Sequence, residues 1–249
     1  MMKRVDFCYF LIYNFERLRG KFTVPTCKKD SKSNKQTVSK QRVADHGEVF
    51  TAAREVNDML DLVKQETQRI DSRFLEPACG KGAFLTEILR RKLAIVSERY
   101  RRNSTDYERY AILAVASIYG IDLLPDNVAD CRALLLGICI ENYASACKCK
   151  CDCIPTEFVE TIRFILSKNI VLGDALTLKY TDGSEKPIVF SEWSMVLGKF
   201  KRRDYYFTHL VNPEFNGTFD SSDTGDGNWS PVPVREFPPT DYKRLKDAE

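Results

Sequence analysis

The sequence predicts an α/β protein, a doubly wound and mostly parallel sheet whose strands end in acidic residues. Three observations carry this expectation. Phe74-Leu75-Glu76 reads as a short apolar strand that runs through a tight turn, Pro77 to Gly82, into a helix opening Ala83-Phe84-Leu85. Two later runs, Ile118-Tyr119-Gly120-Ile121-Asp122 and Asn169-Ile170-Val171-Leu172, read as further strands followed by the acids Asp122 and Asp174. Helical periodicity fills the intervals, and strands alternating with helices build a parallel sheet. With 249 residues, 43% of them hydrophobic, the chain is long enough for one such domain with tails.

Before the first strand lies a basic extension, taken as residues 1–41 and expected to be partly disordered. Residues 1–44 hold 11 Lys or Arg against 3 acids, although the whole chain carries a net charge of only +3. The polar run Lys28-Lys29-Asp30-Ser31-Lys32-Ser33-Asn34-Lys35 can touch phosphates or simply keep the chain in solution. Phe7 to Tyr13 has the apolarity of a short signal core. Asp6 interrupts its start and no small-x-small cleavage site follows, so a buried strand or an incidental extension is expected. No run is long and apolar enough to span a bilayer. The expectation is a cytoplasmic protein without a membrane partner.

The domain proper is placed at residues 42–215. Val56, Met59, Leu60 and Val63 recur at helical spacing, which predicts a helix over 53–69 with Thr51 as its N-cap and Glu55 in its first turn. The helix after the first strand is expected to reach Leu93, with Phe84, Ile88 and Leu89 inward and Arg90, Arg91 and Lys92 at its polar end. A charged stretch, 98–109, then separates it from a helix over 111–116. Asp122, at the end of the second strand, stands where nucleotide-binding sheets place an acid for ribose hydroxyls. Pro125 suits the first turn of the next helix, whose face of Val128, Cys131, Leu135 and Ile138 is expected to meet the sheet.

Cys147, Cys149, Cys151 and Cys153 alternate with charged residues, unlike the paired spacing of zinc sites. Alternation on an extended chain puts the sulfurs in one row, too spread to close around one tetrahedral ion. A loop between helices is therefore expected rather than a metal site, with a soft-metal or redox role as the alternative. A helix over 156–167 follows, then the third strand and Asp174. Pro187-Ile188-Val189-Phe190 is read as the fourth strand. The cluster Lys199-Phe200-Lys201-Arg202-Arg203 is expected in a surface loop beyond it, positioning phosphates or merely solvated. Tyr205 to Val211 can pass as a strand. Residues 216–249, rich in Asp, Gly, Ser and Pro, read as an extended tail lying on a partner or on the protein's own sheet.

The string Glu76-Pro77-Ala78-Cys79-Gly80-Lys81-Gly82-Ala83-Phe84-Leu85 departs from the dinucleotide fingerprint, which needs three glycines. It resembles motif I of S-adenosylmethionine-dependent amino-methyltransferases, in particular the adenine-specific DNA methyltransferases of restriction-modification systems. The resemblance covers about residues 41–203. It implies a Rossmann-like methyltransferase fold with S-adenosyl-L-methionine as cofactor. Glu76, Pro77, Cys79, Gly80 and Gly82 would then hold the methionine end, and Asp174 the adenine amino group. Val49-Phe50-Thr51 resembles motif X, which closes over the methionine; Ala52 replaces its usual proline, and only Phe50 and Thr51 carry over as contacts.

Methylation of a base amine needs acceptors for the amine hydrogens and an aromatic ring on which the extruded base stacks. The family supplies them with an Asn/Asp/Ser-Pro-Pro-aromatic loop after the fourth strand. Here Ser191-Glu192-Trp193-Ser194 follows, with Trp193 as the stacking candidate. The displaced Asn212-Pro213-Glu214-Phe215 offers Asn212, Pro213 and Phe215, although Asn-Pro is also a common turn dipeptide. No clear run of three further strands and no target-recognition domain are expected after Val211. The resemblance therefore implies an adenine-N6 DNA methyltransferase chain, similar to "subunit M" proteins, that acts on DNA and takes its acceptor loop from a second restriction-modification polypeptide. The alternatives are a non-catalytic cofactor-binding subunit of such a complex, or a methyltransferase of RNA or protein.

Overall fold

The computed structural model describes residues 51–148, 153–211, 217–220 and 228–247. The basic extension, Phe50, Cys149, Cys151 and the candidates Asn212, Pro213 and Phe215 lie outside the described residues. The elements are α1 (Ala53–Asp61), α2 (Lys64–Thr67), β1 (Phe74–Glu76), α3 (Ala83–Tyr100), α4 (Ser104–Ala116), β2 (Ile118–Asp122), α5 (Pro125–Cys147) and α6 (Thr156–Asn169). They continue as β3 (Ile170–Asp174), β4 (Lys179–Tyr180), β5 (Val189–Val196), β6 (Lys199–Tyr206), α7 (Phe207–Val211), β7 (Gly217–Asp220), β8 (Asn228–Pro231) and β9 (Arg235–Glu236). A 3-10 helix over Tyr242–Asp247 closes the series.

The protein is α/β. Its main sheet has the order β1-β2-β3-β4, with β1, β2 and β3 parallel and the short β4 antiparallel to β3. Alternation sorts the strand residues to two faces. Phe74, Ile118 and Ile170 join the core built with α1 and α3 to α6. Leu75, Tyr119, Ile121 and Val171 pack instead against Ile188, Phe190, Tyr205 and Phe207. One face thus carries helices. The other carries the antiparallel β5–β6 hairpin, to which β9 adds a third strand.

Several helices are shaped by particular side chains. The predicted 53–69 helix breaks at Leu62 and Val63 into α1 and α2. Ala52, not Thr51, is the N-cap residue of α1; Ala52 N–H donates to the Glu55 carboxylate at 3.3 Å. Asn103 caps α4 by accepting from the N–H groups of Thr105 and Asp106. That cap turns most of the charged stretch before Ala111 into helix. α3 extends to Tyr100 because Lys92 does not end it. Lys92 is fully buried, and its ammonium donates to the carbonyls of Ile70 and Ser72 and to Ser117 Oγ. Three acceptors offset the cost of taking that charge out of water.

The region after β4 departs most from expectation. The fourth strand begins at Val189 and continues to Val196, absorbing Ser191-Glu192-Trp193-Ser194 into β5. It pairs with β6 rather than with the parallel strands. The basic cluster lies in β6, not in a loop, and its charges are engaged. Arg202 is held bidentately by Asp204 at 2.8 Å, Lys201 meets Glu236, and Arg203 meets Glu192 and Glu236. The predicted strand over 205–211 ends at Tyr206 and becomes α7.

The C-terminal segment is not simply an extended tail: β7 pairs with β8, β9 joins β6, and the chain beyond packs on the protein itself. Beyond β9, Thr240 bridges to Phe200, and Tyr242 and Leu245 enter the helical core. Tyr242 Oη donates to the buried Glu108 carboxylate, which also accepts from Tyr143 Oη. Among the described residues no helix is long and apolar enough to cross a membrane.

Candidate functional site

Glu76, Asp122 and Asp174 stand at the C-terminal ends of three neighbouring parallel strands. Glu76 lies opposite Gly120, and Asp122 opposite Leu172, so each acid sits two residues further along than its neighbour. All three share the strand parity of Phe74, Ile118 and Ile170, the helix-facing side. The result is a slanted row of carboxylates along one sheet edge, on the side where the turns after β1 and β2 lead into helices and the turn after β3 into β4.

The turn after β1 is stapled at both ends. Cys79 N–H donates to Ile121 O of β2 at 2.9 Å, and Gly82 N–H returns to Cys79 O at 2.8 Å. Gly80 and Gly82 have φ of +52° and +89°, the left-handed region that glycine occupies without a steric penalty. Their surroundings differ. A Cβ on Gly82 would stand 2.7 Å from Cys131 Sγ, whereas one on Gly80 would meet nothing within 4 Å. Gly80 therefore presents bare backbone to open space beside the acids. Pro77 lies in the turn between Glu76 and Cys79, half-buried.

Burial raises the Glu76 carboxyl from 4.5 to about 7, opposed only in part by a hydrogen bond from the Ala78 N–H. Glu76 is half-buried, and a cation brought beside it would favour the ionised form, the proton passing to solvent. The Cys79 thiol is pushed well up, first by its hydrogen bond with Cys131, then by burial and the charges of Asp122 and Glu76. It stays a protonated thiol, a packing group rather than a nucleophile.

Asp122 is already at work. Oδ1 accepts from Leu124 N–H at 2.9 Å and from Asn127 Nδ2 at 3.2 Å; Oδ2 accepts from Gly80 N–H at 2.8 Å. It thus ties the glycine turn to the start of α5. A carboxylate has about four acceptor directions, so Oδ2 keeps one for a further donor. Asp174 organises its own turn, accepting from Leu176 N–H at 2.8 Å and Thr177 Oγ1 at 3.1 Å. Lys81 pairs with Asp130 of α5 at 2.7 Å, adding a second link across the turn.

Some of the expected residues are gathered here and others are not. Glu76, Pro77, Cys79, Gly80, Gly82 and Asp122 form one locus, with Asp174 at the far end of the acid row. Thr51 precedes α1, which lies against α3. Trp193 is elsewhere. Its side chain is 3% exposed, Nε1 donates to Asn169 Oδ1 at 3.1 Å, and Phe164 meets the ring edge-on. An indole so enclosed is a core group of β5.

Two features escaped the sequence reading. Leu123 and Leu176, 52% and 94% exposed, follow the acids of β2 and β3 and put apolar surface beside them. A glycine in mid-strand was the available sign for the second: a Cβ on Gly120 would lie 3.0 Å from both Cys79 Sγ and Leu85 Cδ1. Gly120 is what lets the Cys79 turn settle onto β2. Comparison with protein-family models, curated proteins and solved structures finds no match for this chain.

Proposed function

We propose that this chain is the S-adenosyl-L-methionine-binding part of an adenine-N6 DNA methyltransferase, with a sheet of the Rossmann-like methyltransferase type. The observation that carries the reading is the pairing of open backbone at Gly80 with the slanted row Glu76, Asp122 and Asp174. A ligand matching that edge needs a cation, hydroxyl donors and an amino donor in sequence. S-adenosyl-L-methionine has them in its ammonium, ribose and adenine. Glu76 would face the ammonium, Asp122 Oδ2 a ribose hydroxyl, and Asp174 the adenine amino group, with Leu123 and Leu176 as apolar cover. When bound, the group supplies an electrophilic methyl. The chain's own residues hold and orient it.

The acceptor chemistry needs a second polypeptide in this reading. With Trp193 packed inside and Ser191 to Ser194 paired in β5, that segment offers no open loop for an extruded base. The same observation favours the second reading, a cofactor-binding subunit that scaffolds a restriction-modification complex without catalysing transfer. Methyl transfer from labelled cofactor to adenine-containing DNA by the chain alone would exclude that second reading.

Calorimetric titration of the full chain with S-adenosyl-L-methionine tests the cofactor site. Wild type should bind. Gly80→Ala, whose methyl fills the open space, and Glu76→Gln, which loses the charge, should fold and lose most of the affinity. The ligand's ammonium lowers the Glu76 pKa, so binding releases a proton and tightens as the pH rises from 6 to 8. Wild-type binding that is absent, or unchanged in both variants, would sink the proposal.

A further inference from the structure

A cleft of about 530 Å3 lies between β3, β4, α5, the end of α6, and the β5–β6 hairpin with β9, and none of Glu76, Asp122 and Asp174 lines it. Its volume is that of a small-molecule site. Four cationic side chains line it: Arg132 from α5, Lys168 from the end of α6, Arg202 from β6 and Arg235 from β9. Against them stand two carboxylates, Asp182 and Asp204. The lining therefore sums to +2.

Arg132 and Arg202 are fixed in place. Arg132 is anchored by donating from Nε to Ile170 O at 2.9 Å and from Nη2 to Ser167 O at 3.2 Å. Arg202 is 6% exposed; its Nε and Nη2 grip Asp204, Nε also reaches Ser191 Oγ, and the Phe237 ring lies 4.4 Å from the guanidinium carbon. Nη1 of the same guanidinium is buried without any hydrogen-bond acceptor. Leaving a charged donor unsatisfied is costly, and the Arg202 side chain that carries it lines the cleft. Asp182 is turned to its own loop, accepting from Ser184 N–H at 2.9 Å. Tyr180 and Tyr206 supply aromatic walls; Tyr180 is held by hydrogen bonds between its hydroxyl and both N–H and C=O of Val189.

We infer that this cleft binds a phosphate monoester carrying a planar ring, a ligand the size of a nucleoside monophosphate. A dianion matches the +2 lining, and three phosphate oxygens suit several cations around one floor better than a two-oxygen carboxylate does. The ring would lie between the tyrosines. The site is separate from the methyltransferase reading and stands whether or not the acid row binds its cofactor.

Adenosine 5′-monophosphate, inorganic phosphate, adenosine and succinate should each be titrated into the full chain by calorimetry at low salt. The monophosphate should bind saturably, inorganic phosphate more weakly, and adenosine and succinate not detectably. Lys168→Ala combined with Arg235→Ala, both outside the buried core, should weaken the monophosphate by about tenfold or more. Lys246→Ala, at an exposed pair with Glu160 that does not line the cleft, should leave it unchanged. No saturable binding of the monophosphate, equal binding of succinate, or an unaltered affinity in the double variant would overturn the assignment.

Discussion

The glycine turn after β1 and the β5–β6 hairpin are both built from short sequence runs of similar kind, an apolar strand followed by polar residues. They ended in opposite places. Around Glu76 the shape of the turn is set by near neighbours, since Gly82 N–H returns to Cys79 O and Gly80 and Gly82 accept positive φ. Ile121 O and Asp122 of β2 dock the turn once it is made. In the hairpin, distant partners decide. Glu192 is met by Arg73, 119 positions away, and Trp193 by Asn169, 24 positions away. A turn written in glycine is local, whereas a strand that continues past its apolar run depends on buried partners that no window of sequence contains.

The sharpest way to break this comparison is Trp193→Ala. As a core indole its loss should cost about 3–5 kcal/mol, read as a shifted urea midpoint at unchanged slope. Trp193→Phe should cost less, about 1–3 kcal/mol, chiefly because Asn169 Oδ1 loses its donor. Should Trp193→Ala unfold at the wild-type midpoint, Trp193 is a surface group after all, and the acceptor role returns to it.

Next comes Glu76→Gln, which contrasts a half-buried acid, raised by burial, with the ion-paired hairpin. The folded carboxyl titrates near 7 and the unfolded one near 4.5. The native state therefore holds a proton that the unfolded chain gives up. This stability contribution is present below 4.5 and is lost as the pH rises toward and through 7. At pH 8 the ionised acid costs the fold about 3 kcal/mol. Glu76→Gln should thus melt higher than wild type at pH 8, and the gap should close toward pH 4. Equal melting at both would mean the carboxyl is not buried as described.

What the sequence made legible follows the same division. The strands ending at Glu76 and Asp122, the helix at Pro125 and its inward face of Val128, Cys131, Leu135 and Ile138 could be read because period and turn chemistry specify them. Lys92 could not. A lysine next to Arg90 and Arg91 reads as solvated unless the carbonyls of Ile70 and Ser72 are known to converge on it. The charges of β6 misled for the same reason: Arg202, Arg203 and Lys201 look like a free basic patch until Asp204, Glu192 and Glu236 are brought beside them. Tyr242, in a Pro-rich tail, gave no local sign that Glu108 would receive its hydroxyl. Of the candidate site, the acid row was legible as a series; its slant and the exposed leucines beside it come only from strand register.

The smallest effect separates the two glycines of the turn itself, and it bears on both function and fold. Each has positive φ, so an alanine at either pays a left-handed penalty of about 1–2 kcal/mol. Only Gly82 faces an obstacle, since its new methyl would press on Cys131 Sγ at 2.7 Å and displace a buried side chain of α5. Overpacking adds about 1–3 kcal/mol there. Gly82→Ala should therefore be less stable than Gly80→Ala by about 2 kcal/mol, measured by urea unfolding of both. The order in ligand affinity should be the reverse among molecules that remain folded, because the Gly80 methyl stands in the open space where a ligand would lie and the Gly82 methyl points into the protein. Equal stability of the two variants would mean that Cys131 yields freely. Equal affinity would mean that the space beside Gly80 is not where the ligand sits, and the glycine turn would then be a device for packing β1 on α3 and nothing more.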